Sequence, residues 1–419
     1  MFDQLTLPSG LRLVGEKNSY IRSCSVGVWV NAGSVDEKDS ENGLSHFIEH
    51  MVFKGTQKRS ARDIAEEMDS VGGVLNAYTG KECTCFYAKV TDDELRRAVD
   101  VLSDLVCHPV FDERELNKER NVVLEEIAMD EDSPEDLVHE ILCQTQYATS
   151  LRRPILGTAD LIRSYTREDL LRYWQRYYQP ANMVVSIVGN YDWPYFTNLV
   201  QEFFPAQTIP DFVLPSVEEQ RFVGAPAFRE KDTEQLHLCL GFPGAARNTR
   251  DYYAMHVMNS ILGGGMSSRL FQRIREEMGM AYSVYSFASS YADIGDFGLY
   301  VATNPENGEK VLHELYRELN LFLKDGPTER EFRINKAQLR GNFLLGLENS
   351  SGRMQSLGKA LLLDHLVKDP EETLSSIDST TLEDVMSVAR RVLTVTPSAA
   401  FVGRGAGAYP KLLGGEHIG

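Results

Sequence analysis

The second half of this chain repeats features of the first half, and this repeat limits the fold more than any other feature of the sequence. Three short matches occur in the same order in both halves, and their spacing drifts by one residue per match. The offsets are 216 residues from Glu115 to Glu331, 215 from Thr166 to Thr381, and 214 from Gly189 to Gly403. Such a repeat favours a duplicated domain with small deletions over coincidence.

The length of 419 residues also suits two domains of roughly 200 residues each. Alternating apolar residues predict strands within 4–30 and 74–90 of the first half, and a helix is predicted from 92 to 107. We therefore predict an α+β fold made of two homologous domains, each an antiparallel-rich sheet with helices packed on one side. The proline-bearing stretch 205–222 is the best linker candidate. The predicted domains are 1–208 and 223–419, joined by a linker at 209–222.

A pentad in the first half reads H-x-x-E-H, with His46, Glu49 and His50 as its fixed residues. Residues four apart lie on one face of a helix, so His46 and His50 can bind one ion together. Glu49 lies beside that pair, where a carboxylate can take a proton from a metal-bound water. The order is the inverted form of the commoner H-E-x-x-H motif. An amphipathic helix with two incidental histidines is the alternative until the context of the motif is known.

A second acidic feature lies in the predicted helix 112–130, where Glu119 and Glu126 are seven residues apart. Seven residues make nearly two turns, so both carboxylates share one face, while Glu125 is turned about 100° away from Glu126. Carboxylates beside the apolar residues of a packed face are costly to bury, and a nearby cation removes that cost. A solvated acidic helix is the alternative, because isolated runs of charge usually face water.

The repeat provides an internal control for these residues. At the offset of 216, Glu119 and Glu126 correspond to Asn335 and Asn342, and the two histidines fall near Leu262 and Met266. The second copy keeps the features of the fold but lacks every proposed ligand. A purely structural requirement for these residues would apply to both copies, so their chemistry belongs to the first half.

Composition excludes several classes of partner. The formal net charge of −18 argues against nucleic acid, because phosphate binding needs a basic surface. No run approaches the ~18 apolar residues that a membrane span needs, and the N-terminal sequence lacks a signal or transit pattern. We therefore predict a cytoplasmic protein with no membrane or nucleic-acid partner. The six cysteines form no C-x-x-C pair and are predicted to be buried, reduced thiols.

The pentad at 46–50, followed 76 residues after His50 by Glu126, resembles the inverted-motif zinc peptidases. This is the family of pitrilysin, insulin-degrading enzyme and the mitochondrial processing peptidase. The flanking segments Gly43-Leu44 and Phe53-Lys54-Gly55-Thr56 also match the helix of that family. The resemblance covers essentially the whole chain and is closest to short bacterial members that are similar to the processing peptidase β subunit.

The resemblance implies a single Zn²⁺ ion per chain, bound by His46, His50 and Glu126, with water in the open fourth position. Three protein ligands with one open position are typical of a catalytic zinc site. Glu49 would be the general base that passes the proton of the water to the leaving amine. Glu119 matches a second glutamate of the family that supports catalysis, and the physical expectation for it is to orient a ligand.

The resemblance also implies four substrate-binding residues. Asn76 and Ala77 match a strand whose backbone pairs with an extended substrate, although Asn76 also suits the end of a strand. Arg275 and Tyr282 match a substrate-contacting pair in the second domain, and ordinary surface positions are the alternative for both. The glycine-rich segment 263–269 lacks the Gly-Lys-Ser/Thr ending of a phosphate loop.

These features together predict a zinc metalloendopeptidase that hydrolyses short or unfolded peptides. The family encloses its substrates between four such domains, so a chain with two is predicted to form a homodimer or a heterodimer with a related chain. The main alternative is a non-catalytic scaffold or peptide-binding member of the same family. Such members usually have a degraded zinc motif, whereas this chain retains all five residues of the proposed centre. An unrelated metal hydrolase is a weaker third reading.

Overall fold

The computed structural model describes residues 2–208, 212–213 and 218–413. Two sheets run through this part of the chain. The strands of the first sheet are β1 (Asp3–Thr6), β2 (Arg12–Lys17), β3 (Ser23–Val30), β4 (Val74–Thr79), β5 (Thr84–Thr91) and β6 (Met183–Gly189). The strands of the second sheet are β7 (Pro226–Glu230), β8 (Leu236–Gly244), β9 (Ala281–Ser290), β10 (Gly295–Thr303) and β11 (Ser398–Gly403).

Most of the remaining described chain is helical. The helices of the first half are α1 (Leu44–Val52), α2 (Ala61–Asp69), α3 (Leu95–Cys107), α4 (Glu113–Asp132), α5 (Pro134–Gln146), α6 (Ala159–Ser164), α7 (Arg167–Tyr177) and α8 (Trp193–Phe203). Those of the second half are α9 (Asp251–Leu262), α10 (Gly308–Asp325), α11 (Glu329–Leu347), α12 (Ser350–Lys359), α13 (Pro370–Ser379) and α14 (Leu382–Leu393). Across the described ranges, no helix has the length and apolar character that a membrane crossing requires.

The two sheets have the same topology once β1 is set aside. The first has the order β1-β2-β6-β3-β5-β4, and the second has the order β7-β11-β8-β10-β9. In each sheet one pair is parallel, β2 with β6 and β7 with β11, and the other neighbours are antiparallel. The predicted α+β class with two duplicated, antiparallel-rich domains is confirmed.

Local structure repeats as well. Thr166 and Asp169 form a capping box at the start of α7, and Thr381 and Asp384 form the same box at the start of α14. In each box the threonine hydroxyl and the aspartate carboxylate satisfy each other's backbone N–H groups, which defines where the helix begins. The strand-end glycines match too, because Gly189 and Gly403 have φ values of 145° and 142°, a region that favours glycine.

The core of the first unit holds the helix that carries the H-x-x-E-H pentad. α1 directs Phe47, Ile48 and Met51 into a cluster shared with α3, α7, α8 and the first sheet, and all three side chains are fully buried. Burying an apolar side chain of this size contributes roughly 1.5–3 kcal/mol. The apolar face of α1 therefore fixes its rotation, and the two histidines face the glutamates of α4.

The compact units do not coincide with the two halves of the sequence. One comprises 1–127, 153–217 and 344–369, and the other comprises 128–152, 218–343 and 370–419. Each half therefore gives one segment to the unit of the other half. Half of the predicted linker 209–222 lies outside the described residues, since 209–211 and 214–217 are not described. The predicted domain bounds, 1–208 and 223–419, describe the repeated halves of the sequence and remain a prediction.

The exchanged segments cover the second face of each sheet. In the first unit, α12 packs Met354 and Leu357 onto Trp29 of β3. The approach is so close that a Cβ at Gly358 would lie 2.0 Å from the indole nitrogen of Trp29. In the second unit, α5 packs Val138 and Leu142 onto the strands in the same way. Each sheet thus has its own helices on one side, as predicted, and one exchanged helix on the other, which was not predicted.

Candidate metal centre

α1 and α4 bring three potential metal ligands to one point. The Nε2 atoms of His46 and His50 are 3.2 Å apart. Oε2 of Glu126 lies 3.7 Å from Nε2 of His46 and 3.4 Å from Nε2 of His50. Across the described ranges, these three residues form the one group of three or more His, Cys, Asp or Glu side chains whose ligand atoms all lie within 4.8 Å of one another.

The spacing of these atoms fits a tetrahedral zinc ion. Zinc binds histidine nitrogen and carboxylate oxygen at about 2.0–2.2 Å, so ligand atoms at the corners of a tetrahedron lie about 3.3–3.6 Å apart. The Oε2 atom of Glu126 is buried and has no hydrogen-bond partner among the described residues. A buried carboxylate oxygen without a partner is costly, and a bound cation would remove that cost. The donor set of two imidazoles and one carboxylate is typical of catalytic zinc.

The protonation state of His46 suits a ligand. Burial, together with the neighbouring His50 ring, lowers the pKa of His46 to about 3. The ring is therefore neutral at pH 7, and a neutral imidazole has the lone pair that a metal requires. For His50, burial acts to lower the pKa, but the hydrogen bond to Glu119 and the nearby carboxylates outweigh it and raise the pKa.

Glu119 lies behind His50 rather than beside the ligand atoms. Its Oε1 atom is 2.9 Å from Nδ1 of His50, and its Oε2 atom is 2.8 Å from Nζ of Lys54. Burial acts to raise the pKa of Glu119, but the hydrogen bonds from His50 and Lys54 outweigh it and lower the pKa. A carboxylate on the second nitrogen of a histidine fixes the tautomer and the orientation of the ring. This contact supports the role of a positioning residue for Glu119.

The periodicity of α4 explains how it presents both glutamates. Leu116, Glu119 and Val123 are all buried on the side of α4 that packs into the unit. Glu126 continues this row, because steps of three and four residues stay on one face of a helix. Arg120 fixes the helix from another side, since its Nη1 donates to the carbonyl oxygen of Ile162 at 2.6 Å.

Glu49 has one partner that the sequence did not reveal. The hydroxyl of Thr79, at the end of β4, donates to Oε2 of Glu49 at 2.5 Å. Burial raises the pKa of Glu49, and the hydrogen bond from Thr79 acts in the opposite direction. A general base works best when its pKa is close to the working pH, so burial favours that role for Glu49.

The predicted substrate strand is an edge strand. β4, which carries Asn76 and Ala77, pairs with β5 on one side and is the last strand in the order of its sheet. The side-chain oxygen of Asn76 accepts a hydrogen bond from the backbone N–H of Ala77 at 2.8 Å. Asn76 lies inside β4 rather than at its end, so the alternative that it ends a strand is wrong.

Arg275 and Tyr282 belong to the second unit, and the structure brings them together there. The guanidinium of Arg275 lies 4.6 Å from the ring centre of Tyr282 and 4.7 Å from that of Phe271, which are cation–π distances. Arg275 lies on the π-helical segment Phe271–Glu277, and Tyr282 is 74% exposed at the start of β9. Their role in substrate binding remains a prediction.

Sequence reasoning missed two residues that touch the centre. Thr79 shares its side of β4 with Leu75 and Ala77, which pack against the core. Threonine is common in strands, so its presence there did not mark Thr79 as a partner of Glu49. Lys54 was noted only as part of a matching segment. Its partner Glu119 is 65 residues away in the sequence, and no local pattern connects them.

The duplicated α+β fold and the candidate zinc centre together are typical of a zinc peptidase, and comparison with known proteins agrees with that class. Residues 12–159 match the family model described as "Insulinase (Peptidase family M16)", and residues 164–339 match "Peptidase M16 inactive domain". This chain belongs to the M16 peptidase family.

Its relatives carry matching names. It is 41% identical to "Uncharacterized zinc protease YmxG" of Bacillus subtilis, over 96% of this chain and 98% of that protein. It is 40% identical to an "Uncharacterized zinc protease" of Streptomyces coelicolor, over 95% of this chain and 88% of that one. The fold resembles that of a protease from Helicobacter pylori, with a TM-score of 0.91, 23% identity, and coverage of 96% of this chain and 99% of that one.

Proposed function

We propose that this chain is a zinc-dependent endopeptidase that hydrolyses short or unfolded peptides and uses one zinc ion per chain. The convergence of His46, His50 and Glu126 carries the proposal, because it sets three lone-pair donors at about the spacing that tetrahedral zinc requires. Residues 46–50 and Glu126 have no counterpart in the second half, where Asn335 and Asn342 replace the two glutamates of α4.

Each residue of the centre has a distinct task in peptide hydrolysis. His46, His50 and Glu126 would hold zinc, which when bound polarises the scissile carbonyl and acidifies a water molecule. Glu49 would accept the proton of the attacking water on its carboxylate and pass it to the leaving amine. Glu119 would keep the His50 ring oriented with Nε2 toward the ion.

The free edge of β4 supports a preference for extended peptides. A substrate that adds a strand to a sheet edge is held by its backbone, which makes many sequences acceptable and excludes folded chains. We assign Asn76 and Ala77 to this backbone contact, and Arg275 with Tyr282 to a second contact on the other unit. We propose that the chain dimerises, either with a second copy of itself or with a related chain. Light scattering, which measures the mass of the particle in solution, would test this.

Metal content and activity of the Glu49→Gln variant test the proposal. The variant is expected to retain one zinc per chain, because Glu49 is not a ligand, and to lose activity about a hundredfold to ten-thousandfold, the usual contribution of a general base. The measurements are metal analysis and cleavage of an unstructured basic peptide. A wild-type protein that binds no zinc and cleaves no peptide would establish the non-catalytic alternative instead.

Two neighbouring glutamates on α4 provide a matched pair for the ligand assignment. Glu126→Gln is expected to lose zinc, because an amide is a much weaker ligand than a carboxylate. Glu125→Gln removes the same charge one residue away, from an exposed position, and should keep both zinc and activity. Equal zinc contents in the two variants would refute Glu126 as a ligand.

A further inference from the structure

The segment that follows α1 has no assigned role, although Phe53-Lys54-Gly55-Thr56 was part of the family resemblance. The structure gives Lys54 a specific contact. Its Nζ atom lies 2.8 Å from Oε2 of Glu119, while Oε1 of Glu119 lies 2.9 Å from Nδ1 of His50. Lys54, Glu119 and His50 therefore form a continuous polar chain that ends at a proposed zinc ligand.

The burial of this chain gives the contact its weight. The Glu119 side chain is 7% exposed and that of Lys54 is 30% exposed. A carboxylate this deeply buried needs an opposite charge and good hydrogen bonds to remain in place. Each oxygen of the Glu119 carboxylate has one contact: the Lys54 ammonium lies against Oε2, and the His50 ring lies against Oε1. Removing the ammonium would leave one oxygen of Glu119 buried without its partner.

The backbone around Lys54 is also fixed. The N–H of Lys54 donates to the carbonyl oxygen of Met51 at 3.1 Å, which continues the end of α1. Gly55 then adopts a φ of +134°, which favours glycine and turns the chain sharply. The Thr56 hydroxyl donates to the buried Asp104 carboxylate at 2.6 Å. The backbone is thus held in place on both sides of Lys54, which is not required for an ordinary surface lysine.

We propose that Lys54 is a positioning residue of the metal centre. Its ammonium fixes the Glu119 carboxylate, and Glu119 in turn holds the His50 ring with Nε2 directed at the metal. The proposal rests on the zinc centre of the proposed function but adds a residue to it. It also explains the segment after α1, in which Gly55 and Thr56 place the lysine that the centre requires.

Zinc affinity tests the proposal without relying on catalysis. Lys54→Met keeps most of the length of the side chain and removes the charge, and Lys54→Gln does so with a polar group. Both are expected to weaken zinc binding about tenfold in competition with a chelator, the lower end of the effect of outer partners of metal ligands. Lys54→Arg should lose less zinc affinity than either neutral variant, because it keeps the charge that pairs with Glu119.

Lys58 provides the matched control. It lies four residues further along, is 59% exposed, and pairs with Asp100 rather than Glu119. Lys58→Met removes the same charge and should leave zinc affinity unchanged. If both neutral variants of Lys54 bind zinc as tightly as the Lys58→Met protein, the proposal is overturned. If either of them binds about tenfold more weakly while its metal-free form unfolds like the wild type, the proposal is supported.

A double-mutant cycle separates a positioning role from a general structural one. In a Glu119→Gln background, Lys54→Met is expected to cause no further loss of zinc affinity, because the lysine acts through the carboxylate. A full additional tenfold loss would show that Lys54 acts by another route and would refute the proposal.

The same measurements distinguish this inference from the proposed function. If the wild type binds zinc but cleaves nothing, the endopeptidase proposal fails and the Lys54 proposal is still decided by affinity. If the wild type cleaves peptides and the Lys54 variants bind zinc normally, only the Lys54 proposal fails. A wild type that binds no zinc overturns both.

Discussion

At the scale of single residues, the contact between Thr79 and Glu49 is the most informative one that the fold creates. Glu49 is only partly buried, and a carboxylate on a helix surface has several rotamers. The Thr79 hydroxyl, 2.5 Å from Oε2, selects one of them. Thr79 itself is held in place because it ends β4, which pairs with β5 along its whole length. The direction of the proposed base is therefore set by the sheet as well as by α1.

The Thr79→Val variant tests this contact, because it keeps the branched shape and removes the hydroxyl. We expect kcat to fall about tenfold, a part of the hundredfold or more that a general base supplies. KM and zinc content should stay unchanged, because Thr79 is not a proposed zinc ligand and valine keeps the backbone hydrogen bonds of β4. Thr79→Ser restores a hydroxyl and should recover most of kcat. A valine variant with the wild-type kcat would contradict the assignment.

At the scale of elements, the N-terminus of α1 depends on a residue from the preceding loop. Gly43, at the N-cap, has no side chain to accept the first helical N–H groups. The Glu37 carboxylate takes that role, since its two oxygens accept from the backbone N–H groups of Gly43 and Ser45 at 2.8 Å each. Burial nevertheless raises the pKa of Glu37 to about 7, because these bonds only partly offset desolvation.

This pKa predicts how the free energy of unfolding varies with pH. A carboxyl whose folded-state pKa is raised binds protons more tightly when folded, so its contribution is full below its ordinary value of 4.5 and is lost as pH rises through about 7. The Glu37→Gln variant lacks this pH dependence. Its side-chain amide also places an N–H group against the backbone N–H of Gly43 or Ser45, where the wild type has an acceptor oxygen. We expect it to be less stable by about 1–3 kcal/mol, the cost of an unsatisfied buried group.

Urea unfolding of the metal-free proteins at pH 5 and pH 8 measures both effects. The stability difference between the wild type and Glu37→Gln should be larger at pH 5 and smaller at pH 8. Glu125→Gln, at an exposed position, serves as the control and should follow the wild type at both values. A difference that does not change with pH would show that Glu37 is not protonated in this range.

At the scale of the whole molecule, the exchanged segments make each sheet depend on the other half of the sequence. The face of the first sheet that contains Trp29 is buried by α12, which is more than 300 residues further along the chain. Without that helix, Trp29 and its buried neighbours Cys85 and Val184 would be exposed to water. Burial of apolar area is the main driving force for folding. A half of the sequence without its exchanged helix therefore lacks the layer that covers the second face of its sheet.

We therefore expect the predicted first domain, residues 1–208, not to fold stably by itself. It should bind a hydrophobic dye and show no cooperative unfolding, because the face of Trp29 lacks its cover. Fusing residues 344–369 to this fragment through a flexible linker should restore cooperative unfolding, and a scrambled version of the same segment should not. Cooperative unfolding of 1–208 alone would contradict this expectation and support independent domains.

Much of the fold could be predicted because its determinants are local. The capping boxes of α7 and α14, the glycines that end β6 and β11, and the pentad of α1 are short patterns whose meaning depends on helix and strand geometry. The spacing of Glu119 and Glu126 placed both on one face of α4, as the structure shows. The repeat then implied the same topology twice, and the two sheets have it.

The sequence by itself determined the duplicated α+β architecture, through its internal repeat, and the shared helix faces of His46 with His50 and of Glu119 with Glu126, through helix periodicity. The convergence of the two helices on one metal followed from the family resemblance and not from a local pattern. Only the tertiary structure decided the exchange of α5 and α12, and the contacts of Glu37, Thr79 and Lys54 around the centre. The physical reason is that apolar burial is non-directional, so an amphipathic helix can cover either sheet equally well by its pattern alone. Which sheet it covers, and which distant side chains then meet, depends on packing across the entire chain.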